Sequence, residues 1–287
     1  MVNRIKSNIS TIIKYSLVYW GSLSAFAGVF LSFITWEDMG ITRKSNRILI
    51  LLGIALIAVI IAIAIVFCRK QKRIFGDINK GVIICYGDLI DIGFPTTNES
   101  KKIVVIPVNR CFDFSCENNL ISRKSIHGQW VEHYIRSEQE VLQINQKVHQ
   151  SLSMCGAKFD VLTRENKKVG NLERYQPGTI VELPGQNGII FYLLALSELN
   201  EDLKAHCSET DFYEVIQGLL KYYDAHGQGE DLYCPVMGDH IVRPTRETGD
   251  IINLMLSHFR FNRGQIHGNI HLVVYEKMKT DISILQY

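Results

Sequence analysis

Two long runs of uncharged residues stand near the start of the chain. The first covers residues 15–36, between Lys14 and Glu37, and the second covers residues 48–68, between Arg47 and Arg69. At 1.5 Å per residue, helices of 22 and 21 residues are about 31–33 Å long, which matches the hydrocarbon core of a bilayer. The pattern therefore predicts two membrane-spanning helices, at about 15–36 and 48–68.

The basic residues around these runs predict how the pair is oriented. Seven Lys and Arg residues flank the outer ends of the pair, and three lie in the loop between the runs. Because cytoplasmic flanks carry the excess of positive charge, both termini are expected in the cytoplasm. A cleaved signal peptide is the alternative for the first run, but this run is longer than an ordinary signal region and a second span follows it directly.

After a basic junction at residues 69–73, short apolar runs alternate with segments of helical period. Residues 156–178 read as irregular surface structure, and Ser137 with Glu140 resembles a capping box. The alternation predicts an α/β protein with two parts, a membrane hairpin at 1–73 and one layered α/β cytoplasmic domain at 74–287. Strands are predicted at 81–85, 102–108, 179–184, 189–196, 231–237, 269–276 and 282–285, and helices at about 129–135, 137–153, 211–225 and 247–259.

Small side chains recur on one face of each predicted span. Such stripes let helices approach closely, either within this hairpin or between neighbouring copies of the chain, and both alternatives stay open. Neither run contains an ionisable residue, which argues against a charged ion pathway. The small residues are Gly21, Ser24, Ala25, Gly28 and Ser32 in the first run and Ala55, Ala58 and Ala62 in the second.

Charge and cysteine content exclude several classes of function. A net charge of +2 gives no general attraction to nucleic acid. Seven cysteines without a CxxC pair predict free thiols in a reducing compartment and no zinc site. The chain has no P-loop, GxGxxG, GxSxG or HExxH motif, so no catalytic residue and no metal ligand is assigned.

Four segments carry a resemblance to a known family. They are CYGDLID with IVVIPVNRCFD about twenty residues later, PGTIVELPGQNGIIFYLLALSE at 177–198, and CPVMGDHIVR at 234–243. Together they resemble the macro domain, which binds ADP-ribose and its derivatives. PVNRCFDF, SIHGQW and the two preceding spans more narrowly resemble the membrane-anchored macro-domain effectors of type II Thoeris antiphage systems. The resemblance implies a macro-like α/β/α fold with a mixed sheet.

The resemblance also implies a function. In such systems a partner TIR-domain protein consumes NAD and makes an ADP-ribose conjugate, histidine-ADP-ribose, as a signal. The effector binds this ligand, forms a homo-oligomer and disrupts the cell inner membrane, so membrane lipids are expected partners and nucleic acid is not. No other cofactor is implied.

The adenine and ribose positions come first among the site residues that the resemblance implies. Asp88, with Leu89, matches the family's adenine-contacting aspartate, and its alternative is a turn-forming Gly-Asp pair. Asn109 matches a motif position of macro domains, or it caps its own turn. Phe112, beside Asp113, stacks under a ribose or packs in the core.

The diphosphate needs converging backbone amides, which a helix N-terminus after a loop of small residues supplies. The candidates are Ser125, His127 and Gly128 in one segment and Gly238, Asp239 and His240 in another. Asp239 and His240 replace a small polar residue and a glycine of the family pattern, and they could instead read the distal group of the ligand. Arg243 adds charge or is a solvated surface residue.

Two other functions compete with the effector. A membrane-tethered hydrolase of ADP-ribosyl or O-acetyl-ADP-ribose linkages is the enzymatic alternative. Hydrolytic macro domains commonly carry an Asn-Ala-Ala-Asn run and a glycine triplet, whereas this chain has Asn-Arg-Cys-Phe at 109–112 and no triplet. A ligand binder is therefore favoured. The third possibility is a passive membrane-bound interaction module without a small ligand.

Overall fold

The computed structural model describes residues 5–6, 8–98, 100–238 and 247–287. Two N-terminal helices, α1 (Ile9–Phe33) and α2 (Lys44–Cys68), are long and apolar enough to cross a membrane. Both begin earlier than predicted from the uncharged runs, since a helix can continue through the charged residues that bound such a run. Helix α1 ends before Trp36, where the Asp38 carboxylate accepts hydrogen bonds from the Thr35 amide and hydroxyl at 2.8 and 2.6 Å.

The small residues of the two helices have different environments. Ala58 and Ala62 of α2 are fully buried, and Val66 and Ile12 form one cluster with Ala62. In α1, Ser24 is partly buried, but Gly21, Ala25, Gly28 and Ser32 are exposed. The small face of α2 is therefore used within the hairpin, whereas most of the small face of α1 is not.

The chain divides into two compact units. One contains residues 1–72 together with 277–287, and the other contains residues 73–276. Residues 277–287, which the sequence predicts as part of the cytoplasmic domain, group with residues 1–72 in the structure, and the domain bounds 1–73 and 74–287 stay a prediction.

A mixed sheet forms the centre of the second unit. Its strand order is β1-β2-β10-β9-β3-β7-β6, in which β2, β10, β9, β3 and β7 are parallel and β6 pairs with β7 antiparallel. Short β8 also pairs with β7, while β4 and β5 form a separate antiparallel pair. The strands are β1 (Gln71–Gly76), β2 (Gly81–Gly87), β3 (Lys102–Asn109), β4 (Phe159–Val161), β5 (Glu173–Tyr175), β6 (Ile180–Pro184), β7 (Ile189–Leu199), β8 (Ala205–His206), β9 (Asp231–Pro235) and β10 (Asn269–Tyr275).

Helices cover both faces of this sheet, which confirms the layered α/β prediction. Along β7, Phe191 and Leu193 pack in the same core cluster as Trp130 and Val148 on one face, while Tyr192 contacts Tyr222 on the other. This alternation explains why β7 is apolar throughout. The helices are α3 (Leu89–Gly93), α4 (Ile126–Tyr134), α5 (Glu138–Met154), α6 (Glu209–His226) and α7 (Thr248–Phe261), with 3₁₀ turns at Glu117–Asn119, Arg263–Gln265, Glu276–Thr280 and Ile284–Gln286.

Some elements differ from the prediction. Residues 282–285 are not a strand: the Ser283 hydroxyl accepts a hydrogen bond from the Leu285 amide at 3.3 Å and starts a 3₁₀ turn. The segment 156–178 contains the pair β4–β5, whose strands of three residues are too short for a periodic signal. At α5, Ser137 caps the helix as predicted, but the Glu140 carboxylate accepts from the Arg136 amide at 2.7 Å.

Candidate ligand-binding site

Two cavities lie where parallel strands of the sheet end. The larger, of about 340 Å³, is lined by Asn109 at the end of β3 and by Val236–Gly238 after β9. The smaller, of about 220 Å³, is lined by Gly87 at the end of β2 and by Tyr275 at the end of β10. Carboxyl ends of parallel strands meet at one sheet edge, where α/β proteins commonly bind ligands. Ile126, the first residue of α4, lines both cavities.

Asp88 lies in the wall of the smaller cavity and also caps a helix. Its Oδ1 accepts a hydrogen bond from the Ile90 amide at 2.9 Å, which starts α3. The capping bond uses one carboxylate oxygen, so Oδ2 can accept a second hydrogen bond. The turn and ligand interpretations of Asp88 are therefore compatible. Leu89, Lys124 and Gln129 line the same cavity.

The start of helix α4 faces both cavities. Ser125 caps it: its Oγ accepts from the Gly128 amide at 3.0 Å and donates to the Ser122 carbonyl oxygen at 2.6 Å. A side chain at Gly128 would place its Cβ 2.2 Å from that oxygen, so only glycine fits. The amides of Ile126 and His127 are in the first turn, where no intrahelical acceptor exists, and no acidic residue lies there. This end of α4 can accept an anion.

Asn109 shapes its own turn. Its Oδ1 accepts from the amides of Cys111 and Asp113 at 3.1 and 3.3 Å. The side-chain oxygen of Asn109 therefore caps its own turn, which is one of the two predicted roles. The residue also lines the larger cavity.

His127 lines the larger cavity but carries no charge there. Burial lowers the pKa of His127 to about 3, and a hydrogen bond with the Asp113 backbone opposes the shift. Its Nε2 is buried without a partner among the described residues, and so is Nε1 of Trp130 one helical turn later. His127 is therefore a neutral, buried part of the wall and not a cationic anchor for phosphate.

Phe112 and Asp113 do not line either cavity. Phe112 is buried in the core with a positive φ of 50° and meets the Tyr175 ring edge to face. The Asp113 carboxylate is buried with Lys167, whose Nζ lies 2.5 Å from its Oδ2, and its Oδ1 accepts from the Asn171 amide at 2.6 Å. The structure thus gives both residues supporting positions beneath the site.

The remaining predicted residues lie at the mouth of the larger cavity or outside the described chain. Gly238 lines that cavity with a positive φ of 81°. Asp239, His240 and Arg243 fall in residues 239–246, outside the described residues. Within the described ranges, no group of three His, Cys, Asp or Glu side chains could hold a metal ion.

Sequence reasoning missed three residues. Lys124 and Tyr275 line the smaller cavity, and Lys167 holds Asp113. Lys124 directly precedes the predicted SIHGQW segment, so that motif already pointed to its position. For Lys167, which lies in a run of polar residues, no sequence signal marks it as buried.

Comparison with known proteins decides the family. Residues 82–275 match the family described as Thoeris protein ThsA, Macro domain. The chain belongs to this family. The matched range begins in β2 and ends with β10, so it contains both cavities and the family's sheet edge.

The chain is also similar to individual proteins and solved structures. Thoeris protein ThsA of Bacillus amyloliquefaciens (strain Y2) is 21% identical over 237 residues, covering 81% of this chain and 74% of the relative. That alignment is longer than the macro domain alone. Among solved structures, a mutant Oceanobacillus iheyensis macrodomain with ADPR is 13% identical, with a TM-score of 0.46. The match covers 73% of this chain and 92% of the macrodomain chain. The same macrodomain with ADP has a TM-score of 0.43 at 13% identity, with coverages of 73% and 90%.

Proposed function

We propose that this ThsA-family chain is an antiphage defence effector whose macro domain binds an ADP-ribose-derived signal made from NAD by a partner TIR-domain protein. Histidine-ADP-ribose is the expected signal. The observation that carries the proposal is the pair of cavities that share Ile126, at the sheet edge of a macro domain.

Each cavity suits a different part of such a ligand. In the smaller one, Oδ2 of Asp88 can accept a hydrogen bond from the exocyclic amino group of adenine, and Tyr275 offers a ring. In the larger one, the first amides of α4 and the Gly238 loop suit the diphosphate, with the distal ribose and its conjugated group beyond. Lys124 adds positive charge.

The membrane step depends on the hairpin. We propose that α1 and α2 span the inner membrane with both termini in the cytoplasm, and that the ligand-bound chain oligomerises. The exposed Gly21, Ala25, Gly28 and Ser32 support this step because they leave a close-packing face of α1 unused within the chain. The ligand shifts the chain toward assembly only if it binds the assembled form more tightly.

A thermal-shift experiment on the full-length chain in lipid nanodiscs tests the ligand. Saturation at 100 times the dissociation constant adds about 2.7 kcal/mol of stability. We expect stabilisation by ADP-ribose and a larger one by histidine-ADP-ribose. Absence of any shift with either ligand contradicts the proposal, and release of free ADP-ribose from the conjugate would favour the hydrolase instead.

The membrane step is tested in cells that express the chain with its TIR partner. Infection should collapse the membrane potential in the wild type. A Gly21→Ile/Gly28→Ile variant should prevent the collapse, because the two bulky side chains keep neighbouring copies of α1 apart. The hairpin itself tolerates them, since a Cβ at either position meets no atom within 4 Å. Gly53→Ile in α2, where the added Cβ is equally free, is the matched control and should keep the collapse.

A further inference from the structure

The last eleven residues of the given sequence pack against the end of the hairpin where α1 begins and α2 ends, in the same compact unit. Ser283 and Asn8 are 1% and 2% exposed, and the Ser283 hydroxyl donates to Oδ1 of Asn8. Ile284 is 0% exposed, and Leu285 packs on the cluster of Ile12, Ala62 and Val66. A free tail would leave these groups in water.

The same segment also accepts hydrogen bonds from Lys72, which lies shortly after α2. The Lys72 ammonium donates to the main-chain oxygens of Leu285, at 2.9 Å, and Tyr287. Asn8 directly precedes α1 and Lys72 lies four residues after α2. The segment therefore contacts the chain just before α1 and shortly after α2.

The origin of this segment is its second notable feature. The chain passes between the two units at Lys72–Arg73 and at Glu276–Lys277. The second passage comes directly after β10, whose last residue, Tyr275, lines the smaller cavity. Only Glu276 separates Tyr275 from this segment, and the far end of the segment contacts Asn8 and Lys72. A displacement of Tyr275 would therefore pull directly on the segment.

We propose that residues 277–287 form a strap that transmits occupancy of the smaller cavity to the two membrane helices. The strap is a coupling element and not a ligand contact. The inference rests on the proposed function, because it assumes a ligand near Tyr275 and an effect on the membrane. The strap adds a physical connection between the ligand near Tyr275 and the membrane helices. A bound ligand needs such a connection if it is to favour one arrangement of the hairpin.

The test uses the full-length chain and two substitutions to the same residue within the strap. Ile284→Asn puts an amide at a fully buried position of the strap, whereas Asp281→Asn changes an exposed position. ADP-ribose binding is measured in nanodiscs and membrane depolarisation is measured in cells with the TIR partner. We expect Ile284→Asn to bind ADP-ribose within about twofold of the wild type but to lower depolarisation about tenfold, and Asp281→Asn to leave both unchanged.

Three outcomes overturn the strap. Depolarisation as strong as in the wild type shows that its contacts transmit nothing. Depolarisation without infection shows that the segment restrains the hairpin and does not transmit to it. Loss of both ADP-ribose binding and depolarisation shows that the segment only supports the cavity.

A milder variant guards against misfolding. Ser283→Ala removes one hydroxyl, which donates to Asn8 and accepts from the Leu285 amide, so the chain should insert and bind as before while depolarisation falls about threefold. Full depolarisation in this correctly inserted variant, together with loss of insertion in Ile284→Asn, would also overturn the strap. If the wild type itself neither binds ADP-ribose nor depolarises the membrane, the proposed function fails, and that result differs from each of these.

Discussion

The hairpin exposes large apolar side chains of the kind that the macro domain buries. In the hairpin, Phe26 and Phe33 are 73% and 84% exposed, and the residues fully buried between the helices are Ala58 and Ala62. In the macro domain, Phe191, Phe212 and Phe259 are fully buried, together with aliphatic residues of the sheet. The comparison shows that residue type alone does not predict burial: helices that are long and apolar enough to cross a membrane leave apolar side chains exposed, whereas the macro domain removes them from water.

Buried polar groups also differ between the two regions. The hairpin buries the hydroxyls of Ser16 and Ser24, which have no partner among the described residues. The macro domain buries a charged pair, Asp113 with Lys167, and satisfies it with the amide and carbonyl of Asn171. A water-facing domain thus fixes its internal geometry by specific polar bonds, whereas the hairpin relies on close contact.

The largest expected effect comes from breaking that charged pair. Lys167→Ala should lower the free energy of unfolding of the macro domain by about 3–5 kcal/mol, because Asp113 is left buried and unpaired. Denaturant unfolding of the purified chain in micelles measures it. Lys168→Ala, at the exposed neighbouring position, should cost less than about 0.5 kcal/mol. Equal effects of the two substitutions would show that the pair does not hold the fold.

Periodicity predicted the long elements and failed for the short ones. The hairpin, β7 and α6 have enough residues for their pattern of apolar positions to indicate type and approximate bounds. Helix α3, with five residues, and β4, with three, are too short for a period. The segment 282–285 has the composition of a strand but packs on the hairpin, so a tertiary contact overrides its local preference.

Much the same holds for the site. The family motifs place Asp88 and Ser125 at the ends of elements, where the structure has them as the caps of α3 and α4, and their contact with a ligand stays a prediction. Lys167 and Tyr275 were not predicted, since their positions depend on how distant segments meet. His127 is predicted near the diphosphate for its backbone amide, whereas the burial of its side chain, which lowers the pKa of the imidazole, is not visible in the sequence.

The second prediction tests close contact in the hairpin. Ala62→Leu adds bulk where no space exists and should weaken the packing of α1 on α2 by up to about 3 kcal/mol. Spin labels at the exposed Phe30 and Leu49 should report a longer distance between the helices. Gly28→Leu makes a larger addition at an open position and should leave that distance unchanged. A longer distance in Gly28→Leu as well would contradict the described helix contact.

The third prediction concerns acid stability of the macro domain. The pKa of His127 is about 3 in the folded chain against an ordinary value of 6.5, so the unfolded chain binds the extra proton between these values. Stability is therefore complete above pH 6.5 and falls as the pH drops toward 3, by about 2 kcal/mol at pH 5 from this residue. His127→Gln should flatten this part of the pH profile of the melting temperature. An unchanged slope between pH 7.5 and pH 5 would show that His127 is protonated in the folded chain.

The smallest expected change in stability, at Asp88, gives the most specific test of the macro site. Asn and Asp are equally good helix caps, so Asp88→Asn should leave the melting temperature within experimental error, whereas Asp88→Ala should lose about 1 kcal/mol with the cap of α3. If Oδ2 accepts from the adenine amino group, both variants should bind ADP-ribose about tenfold more weakly, since an amide nitrogen or a methyl group cannot accept this bond. Calorimetry with ADP-ribose in nanodiscs measures the affinities. A loss of affinity in Asp88→Ala alone would mean that Asp88 acts only through the cap, and the adenine position in the smaller cavity would then be wrong.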